Sequence, residues 1–117
     1  MSAVKLFSKL EQVSDLWSPK TVAMFNGHDV MVVKVQGEFN WHSHGDTDDF
    51  FMVLDGELTI QIENSDDIVL GPGELYVVPK GVRHCPKAEL ETHVLLIEPS
   101  GTPNTGNPET AAKREEI

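Results

Sequence analysis

Short apolar runs separated by turn residues fill the middle of this chain. Between Thr21 and Glu98 an apolar run recurs roughly every eight to twelve residues. The runs are Val22–Phe25, Val30–Val35, Phe39–His44, Phe50–Leu54, Leu58–Ile62, Ile68–Leu70, Leu75–Val78, Val82–Cys85 and Thr92–Ile97. Turn pairs such as Asn26-Gly27 and Asp55-Gly56 separate them, since glycine accepts a positive φ. The pattern predicts an all-β domain, with a closed or double-sheet barrel as its shape.

Residues 1–20 form a predicted lead-in to this β domain. Their apolar residues recur three or four positions apart, at Leu6, Leu10, Val13 and Trp17. Ser8 and Glu11 have the spacing of a capping box, and Ser18 precedes a proline, which disfavours a helical conformation there. We therefore expect a short helix in the lead-in, ending at Ser18-Pro19.

Residues 100–117 lose the alternation of the β domain, which is expected to span residues 21–99. The segment is rich in proline, glycine, threonine and asparagine and has few residues that favour strands. We expect an extended or disordered tail over the surface, with residues 109–117 either mobile or in a frayed helix.

Length and charge limit the classes of partner. The 117 residues suit one domain with one core. Nineteen acidic against nine basic residues give a net charge of −10, which repels nucleic acid and anionic membranes. The chain has no long apolar run, its first residues lead us to expect no secretory signal, and its single cysteine, Cys85, cannot form an intrachain disulfide. We expect a cytoplasmic protein without nucleic acid or membrane partners.

Three histidines and one aspartate have the composition of a mononuclear metal site. His42 and His44 are two residues apart, Asp49 starts the next apolar run, and His84 follows a Pro-Lys-Gly turn. Imidazole and carboxylate suit Fe, Mn, Ni, Cu or Zn, so we expect one divalent transition metal ion. The residue types alone allow either an open site for chemistry or a closed structural zinc site.

Strand alternation bears on both the site and a partner surface. If the segment with His42 and His44 is a strand, both side chains share one face and Trp41 takes the opposite one. By the same alternation, Phe50 and Met52 lie on the outer face of the next strand. Large apolar side chains on an outer face favour a partner surface, so we expect a homodimer.

Two segments resemble the two sequence motifs of the cupin superfamily. The first contains Gly37, His42, His44, Asp49 and Gly56, and the second contains Gly73, Pro79, Gly81, His84 and Ala88. The resemblance covers residues 37–88 and implies a jelly-roll barrel, also called a double-stranded β-helix. It also implies a metal held by three histidines and a carboxylate, and it agrees with the homodimer, since small single-domain cupins are commonly dimeric.

The resemblance has three departures. Asp49 stands where the family has glutamate, Ala88 stands where it has asparagine, and the gap from Gly37 to His42 is four residues instead of five. Asp48 also has a family spacing and is the alternative ligand, although on a strand it would face away from Asp49.

The resemblance permits more than one function. We expect a metal-dependent enzyme, similar to dioxygenases or isomerases, that acts on a small polar molecule. Tyr76 and Arg83, both within the second motif, are candidates for lining its pocket. Few basic residues lie around the motifs, which disfavours a phosphosugar isomerase. The alternatives are a non-catalytic binding or sensing module and a structural protein with a vestigial site.

Overall fold

Nearly all regular structure in this chain is β-strand. In the computed structural model, which describes residues 2–117, one short helix precedes eight strands. They are α1 (Leu6–Leu10), β1 (Lys20–Phe25), β2 (His28–Glu38), β3 (Asp49–Asp55), β4 (Leu58–Ile62), β5 (Ile68–Leu70), β6 (Leu75–Val78), β7 (His84–Pro99) and β8 (Glu115–Glu116). Met1, the first residue of the predicted lead-in, lies outside the described residues. Within residues 2–117, no helix has the length and apolar character to cross a membrane.

The strands pair into one sheet with the order β5-β4-β7-β2-β1-β8, and β3 pairs with both β6 and β7. All named pairs are antiparallel except β1 with β8. The all-β jelly-roll prediction is confirmed, and the sheet is not closed. Antiparallel strands joined by short turns can bury one face, which is why the sequence alternates between apolar and polar positions.

The longest strand, β7, organises the sheet. Its first residues pair with β4 and its later residues pair with β2 and β3. The predicted runs Val82–Cys85 and Thr92–Ile97 therefore contribute to one continuous strand. The chain between them stays extended because Lys87 and Ala88 pair with the end of β2.

Alternation along β3 sets what faces the interior. Asp49, Phe51 and Val53 are buried, whereas Phe50 and Met52 are only half-buried. This confirms the predicted phase of the strand. The residue that faces inward at the start of β3 is a carboxylate, so one polar group enters an otherwise apolar layer.

The core lies between the inward faces of the strands. Its most deeply buried apolar side chains are Met31, Val53, Leu58, Ile60, Val78 and Val94. Burial of such side chains is the main stabilising contribution in a domain of this size. The core reaches one end of the candidate site, where the Phe51 ring lies 6.0 Å from the ring of His84.

The lead-in contains a short helix, as expected, but the helix ends earlier than the sequence indicates. Helix α1 ends at Leu10, well before Ser18-Pro19, and its N-cap residue is Lys5. The predicted capping box is wrong because Ser8 lies inside the helix. After α1 the chain leaves the helical path, and Trp17 adopts a left-handed φ of 58°.

The tail also differs from its prediction. Glu115 and Glu116 form β8, which pairs parallel with Lys20 and Thr21 of β1. The frayed helix is therefore not found in residues 109–117. The pairing uses backbone groups at the free edge of β1, a contact that local sequence composition does not report.

The segment from Phe39 to His44 is not a strand. Only His42 makes an isolated bridge, to His84. The expected alternation of faces therefore does not apply here, although Trp41 is 39 % exposed. Asn40 and Ser43 interrupt the apolar pattern, and the segment crosses from β2 to β3 as irregular chain.

Candidate metal centre

Four buried side chains meet at one point of the fold. One ligand atom each from His42, His44, Asp49 and His84 lies within 4.8 Å of all the others. Oδ2 of Asp49 is 2.8 Å from Nε2 of His84, 3.3 Å from Nε2 of His44 and 3.9 Å from Nε2 of His42. The structure thus brings together the four residues singled out in the sequence.

Backbone pairing places these side chains. Asp49 opens β3 and His84 opens β7. His42 and His84 exchange two backbone hydrogen bonds of 2.9 Å, and the N–H of Gly81 donates to the carbonyl of His44 at 2.8 Å. The Pro79-Lys80-Gly81 turn therefore fixes the second motif against the first.

Hydrogen bonds orient two of the imidazoles. Nδ1 of His42 donates to the carbonyl of Asn40 at 3.0 Å, and Nδ1 of His84 donates to the carbonyl of Val82 at 2.9 Å. In a neutral ring this leaves Nε2 without a proton and ready to donate its lone pair to a cation. Both Nε2 atoms face Asp49.

The donor set fits a metal ion. Nε2 of His44 is buried without a hydrogen-bond partner in the described part of the chain, and such orphaned groups are costly. Two ligand atoms about 2.1 Å from one ion, at angles of 90–110°, lie roughly 3.0–3.4 Å apart. Oδ2 of Asp49 is 2.8 Å from Nε2 of His84 and 3.3 Å from Nε2 of His44, near this spacing.

The charge states also suit a cation. Burial alone would raise the pKa of Asp49, but the imidazoles of His44 and His84 lower it to about 2. Burial lowers the pKa of His42 to about 4. Burial opposes protonation of His44 too, yet the neighbouring carboxylate of Asp49 raises its pKa. At neutral pH the site thus offers an ionised carboxylate and an unprotonated His42.

A cavity of about 40 Å³ adjoins the centre. His42 and Asp49 contribute to its wall, together with Phe51 from β3 and Trp17 and Phe39 from the connecting segments. The side chains stack in series: the Trp17 and Phe39 rings are 4.7 Å apart, and Phe39 meets His42 edge-on at 5.5 Å.

Comparison with known proteins gives the family. Residues 29–99 match the family model described as Cupin domain. The chain belongs to the cupin superfamily. The resemblance of the two motifs is therefore confirmed, and the histidines lie within the matched region.

Three similar proteins illustrate the extent of this likeness. A cupin-2 domain protein of Shewanella frigidimarina is 42 % identical, with a TM-score of 0.80 over 82 % of this chain and 93 % of its own. The uncharacterised YdbB of Bacillus subtilis is 30 % identical over 80 % of this chain and 82 % of its own. Hydroquinone dioxygenase from Sphingomonas sp. TTNP3 is 17 % identical, with a TM-score of 0.77 over 86 % of this chain and 33 % of its own, which shows the fold alone.

Glu98 is a site residue that sequence reasoning missed. It is 3 % exposed and lines the same cavity as Asp49 in this cupin. Burial, and then the charge of Asp49, raise the pKa of Glu98 to about 8. Its Oε2 accepts a hydrogen bond from Nη2 of Arg114 at 3.0 Å. The alternation Val94, Leu96, Glu98 along β7 could have indicated its inward direction.

The remaining candidates lie outside the cluster. Oδ1 of Asp48, the alternative ligand, accepts a hydrogen bond from the backbone N–H of Lys80 at 2.9 Å. This carboxylate therefore stabilises the Pro79-Lys80-Gly81 turn. Tyr76 packs against the core, and the exposed Arg83 pairs with Glu63 at 3.4 Å. Neither Tyr76 nor Arg83 is among the cavity-lining residues, so this cavity forms without them.

Cys85 follows His84 on the chain and is fully buried. Burial raises the pKa of its thiol, so the thiolate form that binds metals and reacts is suppressed. Its sulfur donates only a weak hydrogen bond to the carbonyl of Pro86. The structure therefore gives it a packing role.

Proposed function

We propose that this cupin is a metal-dependent enzyme that acts on a small molecule, with dioxygenase chemistry as the first candidate. It would hold one divalent transition metal ion through His42, His44, Asp49 and His84. The observation that carries the proposal is the convergence of these four buried ligand atoms within 4.8 Å beside a cavity.

The donor set supports an open site. Three imidazoles and one carboxylate suit Fe, Mn, Ni, Cu or Zn, and an ion that prefers six ligands keeps about two positions for other groups. When bound, such an ion supplies Lewis acidity and a place where substrate and dioxygen can meet. Asp49 contributes the negative charge that offsets the cation.

The chain's own residues would prepare this reaction in three ways. The Nδ1 hydrogen bonds of His42 and His84 hold both rings in one orientation. Phe51 and the stacked Trp17 and Phe39 exclude water from one side of the site. A dry wall strengthens electrostatic interactions with a bound substrate.

The structural neighbours support the dioxygenase candidate over the isomerase. Hydroquinone dioxygenase PnpCD, solved once with Fe³⁺ and once with Cd²⁺, shares the fold of this chain. A phosphosugar isomerase would need cations for the phosphate, and the cavity wall contains no lysine or arginine among the described residues. A cytoplasmic location is part of the proposal, supported by the unpaired Cys85.

Elemental analysis of the purified protein tests the metal centre. We expect about one equivalent of a transition metal, lost in a His42→Ala/His84→Ala double variant. His28→Ala is the matched control, since His28 lies at the β1–β2 turn, away from the cluster. Absence of metal from the unmodified protein after reconstitution would contradict the proposal.

Oxygen uptake tests the reaction. The iron-loaded protein should consume oxygen with a substrate from a panel of phenols and dihydroxybenzenes, and the double variant should not. A saturable ligand recovered unchanged after long incubation with the metal-loaded protein would instead support the binding or sensing module.

A further inference from the structure

The wall of the cavity beside the metal centre is mostly apolar. Four polar side chains contribute to its wall: His42, Asp49, Glu98 and Asn104. The amide of Asn104 is already used, since Nδ2 donates to the carbonyl of Trp17 and Oδ1 accepts from the N–H of Ala112. The rest of the wall is aliphatic, aromatic or proline. With the Asn104 amide occupied, the polar wall groups left for a ligand are those of His42, Asp49 and Glu98, beside the metal centre.

The wall, over the residues that the structure describes, offers no free cation to a negative group on the ligand. Asp49 and Glu98 are both buried carboxyls. The nearby cation, Arg114, is engaged by Asp29 at 2.7 Å and by Glu98 at 3.0 Å. An anionic group away from the metal would lose its water without gaining a cationic partner, which is strongly unfavourable.

Trp17 forms the aromatic side of the wall in a strained conformation. Its φ of 58° is rare for a bulky residue. Three contacts hold it: its N–H donates to the carbonyl of Lys34 at 2.8 Å, its Nε1 donates to the carbonyl of Gln36 at 2.9 Å, and its carbonyl accepts from Asn104. Strain that the surroundings impose at a cavity wall is a marker of function.

The stack behind Trp17 ends at the metal centre. Phe39 lies between Trp17 and His42, with ring centroids 4.7 Å and 5.5 Å apart. A planar group that enters the cavity beside this stack would contact aromatic rings along its length. Its inner end would lie at the ligand histidines. Offset or edge contacts between rings favour such a group.

We infer that the site takes an uncharged, planar ligand with one oxygen donor directed at the metal and an apolar body against Trp17, which determines specificity. The inference rests on the proposed function and narrows the small polar molecule expected from sequence to an amphipathic one. The cavity volume of about 40 Å³ equals roughly three water-sized spheres, so the ligand body must be compact.

Binding of a matched pair of phenols tests the charge selection. The probes are para-cyanophenol and para-phenolsulfonate, which share the phenolic end and differ in charge at the other. Calorimetry on zinc-loaded protein reports binding without turnover. We expect the cyanophenol to bind at least about tenfold more tightly, a difference of about 1.4 kcal/mol. Equal affinities, or tighter binding of the sulfonate, would overturn the inference.

A conservative series at position 17 tests the specificity residue. Trp17→Leu should weaken cyanophenol binding about three- to tenfold, while Trp17→Phe should retain most of it because the ring contact persists. Zinc content and melting temperature show that each variant is loaded and folded. If both folded variants bind like the unmodified protein, Trp17 does not determine specificity.

The two proposals fail in different ways. Failure to retain zinc contradicts the metal centre and with it the proposed function. Retention of zinc with no preference between the phenols contradicts the ligand class alone. Retention of zinc with no binding of either phenol also overturns the ligand class, but the metal centre is still supported by the zinc content.

Discussion

Arg114 places Nη2 3.0 Å from Oε2 of Glu98, and this hydrogen bond joins the tail to the wall of the candidate metal centre. Nη1 of the same guanidinium lies 2.7 Å from Oδ2 of Asp29. Asp29 and Glu98 are opposite each other on β2 and β7, and both are buried. One cation therefore serves two carboxyls, and residues beyond the matched cupin region support the site.

Replacement of Arg114 should destabilise the protein. Arg114→Met leaves the buried carboxylate of Asp29 without its cation and Glu98 without its hydrogen-bond donor, which costs about 3 kcal/mol in free energy of unfolding. Denaturant unfolding measures the difference. Lys113→Met is the matched control, since Lys113 is exposed on the same segment. An equal, small effect of both variants would show that the Arg114 pairs contribute little.

The tail also lies against the metal-binding segment at Gly106. A Cβ on Gly106 would collide with the backbone carbonyl of Ser43, between the two ligand histidines, whereas a Cβ on Gly101 would meet nothing within 4 Å. Both glycines have positive φ, 77° and 89°, so alanine strains the backbone at each. Gly106→Ala should therefore cost about 1–3 kcal/mol more than Gly101→Ala.

Thermal unfolding and metal affinity of this glycine pair provide the check. A displaced tail would also disturb His42 and His44, so Gly106→Ala should weaken metal binding more than Gly101→Ala. Identical melting temperatures and affinities for the two variants would contradict the described position of the tail.

Much of the site could be predicted because its residues are tied to short motifs. Asp49 follows two histidines and starts a strand, so alternation fixes its inward direction. His42 and His44 also reach the centre, with rings 5.0 Å apart, although their segment is not a strand. The motif spacing was therefore a better guide than the period of the presumed strand.

The rest depends on contacts between distant parts of the chain. Arg114 pairs with Asp29 across 85 positions, and no local pattern reports such a contact. The apolar spacing of the lead-in predicts a helical position for Trp17, but tertiary hydrogen bonds place it in a left-handed conformation at the cavity. In both cases tertiary contacts override local propensity, which is weak by comparison.

Separate substitution of the two neighbouring aspartates should distinguish the metal ligand from the residue that only stabilises the turn. Asp49→Asn removes a carboxylate from the centre and should weaken metal binding by more than about tenfold. Asp48→Asn should leave metal affinity nearly unchanged, because Asp48 caps the Lys80 N–H outside the cluster. Metal competition titrations compare the two. A larger loss of metal affinity in Asp48→Asn would show that Asp48, and not Asp49, is the metal ligand.

Metal-free protein should lose stability on mild acidification because of His42. Burial lowers the pKa of His42 from 6.5 to about 4. The unfolded chain therefore takes up a proton at this residue as pH falls from 6.5 to 4, whereas the folded chain does not. The free energy of unfolding falls over that window, by up to about 3 kcal/mol from this residue.

Unfolding of the metal-free protein at several pH values measures this dependence. His42→Gln should reduce the loss between pH 6.5 and 4, and His28→Gln should not. The raised pKa of His44 increases the free energy of unfolding as pH falls, opposite to the effect of His42. The informative quantity is therefore the difference in pH dependence between the variant and the unmodified protein. An unchanged pH profile in His42→Gln would contradict the assignment.

The outer face of the β3–β6 pair leads to a final prediction, a homodimer, which we propose as the assembly of this cupin. Phe50 lies opposite Val77, and Met52 lies opposite Leu75. Leu75 is 53 % and Val77 39 % exposed, so four apolar side chains form a contiguous patch on a sheet that also carries Asp49 inward. Contiguous apolar surface of this kind marks protein interfaces.

Light scattering on the eluting protein determines its mass. We expect twice the 13.0 kDa of one chain. A Leu75→Lys/Val77→Lys double variant should elute as a monomer, since lysine in the centre of an apolar interface is strongly unfavourable. Leu90→Lys is the control, because Leu90 is 77 % exposed on β7, away from the patch. A monomeric unmodified protein, or a double variant that stays dimeric, would show that this face is not the dimer interface.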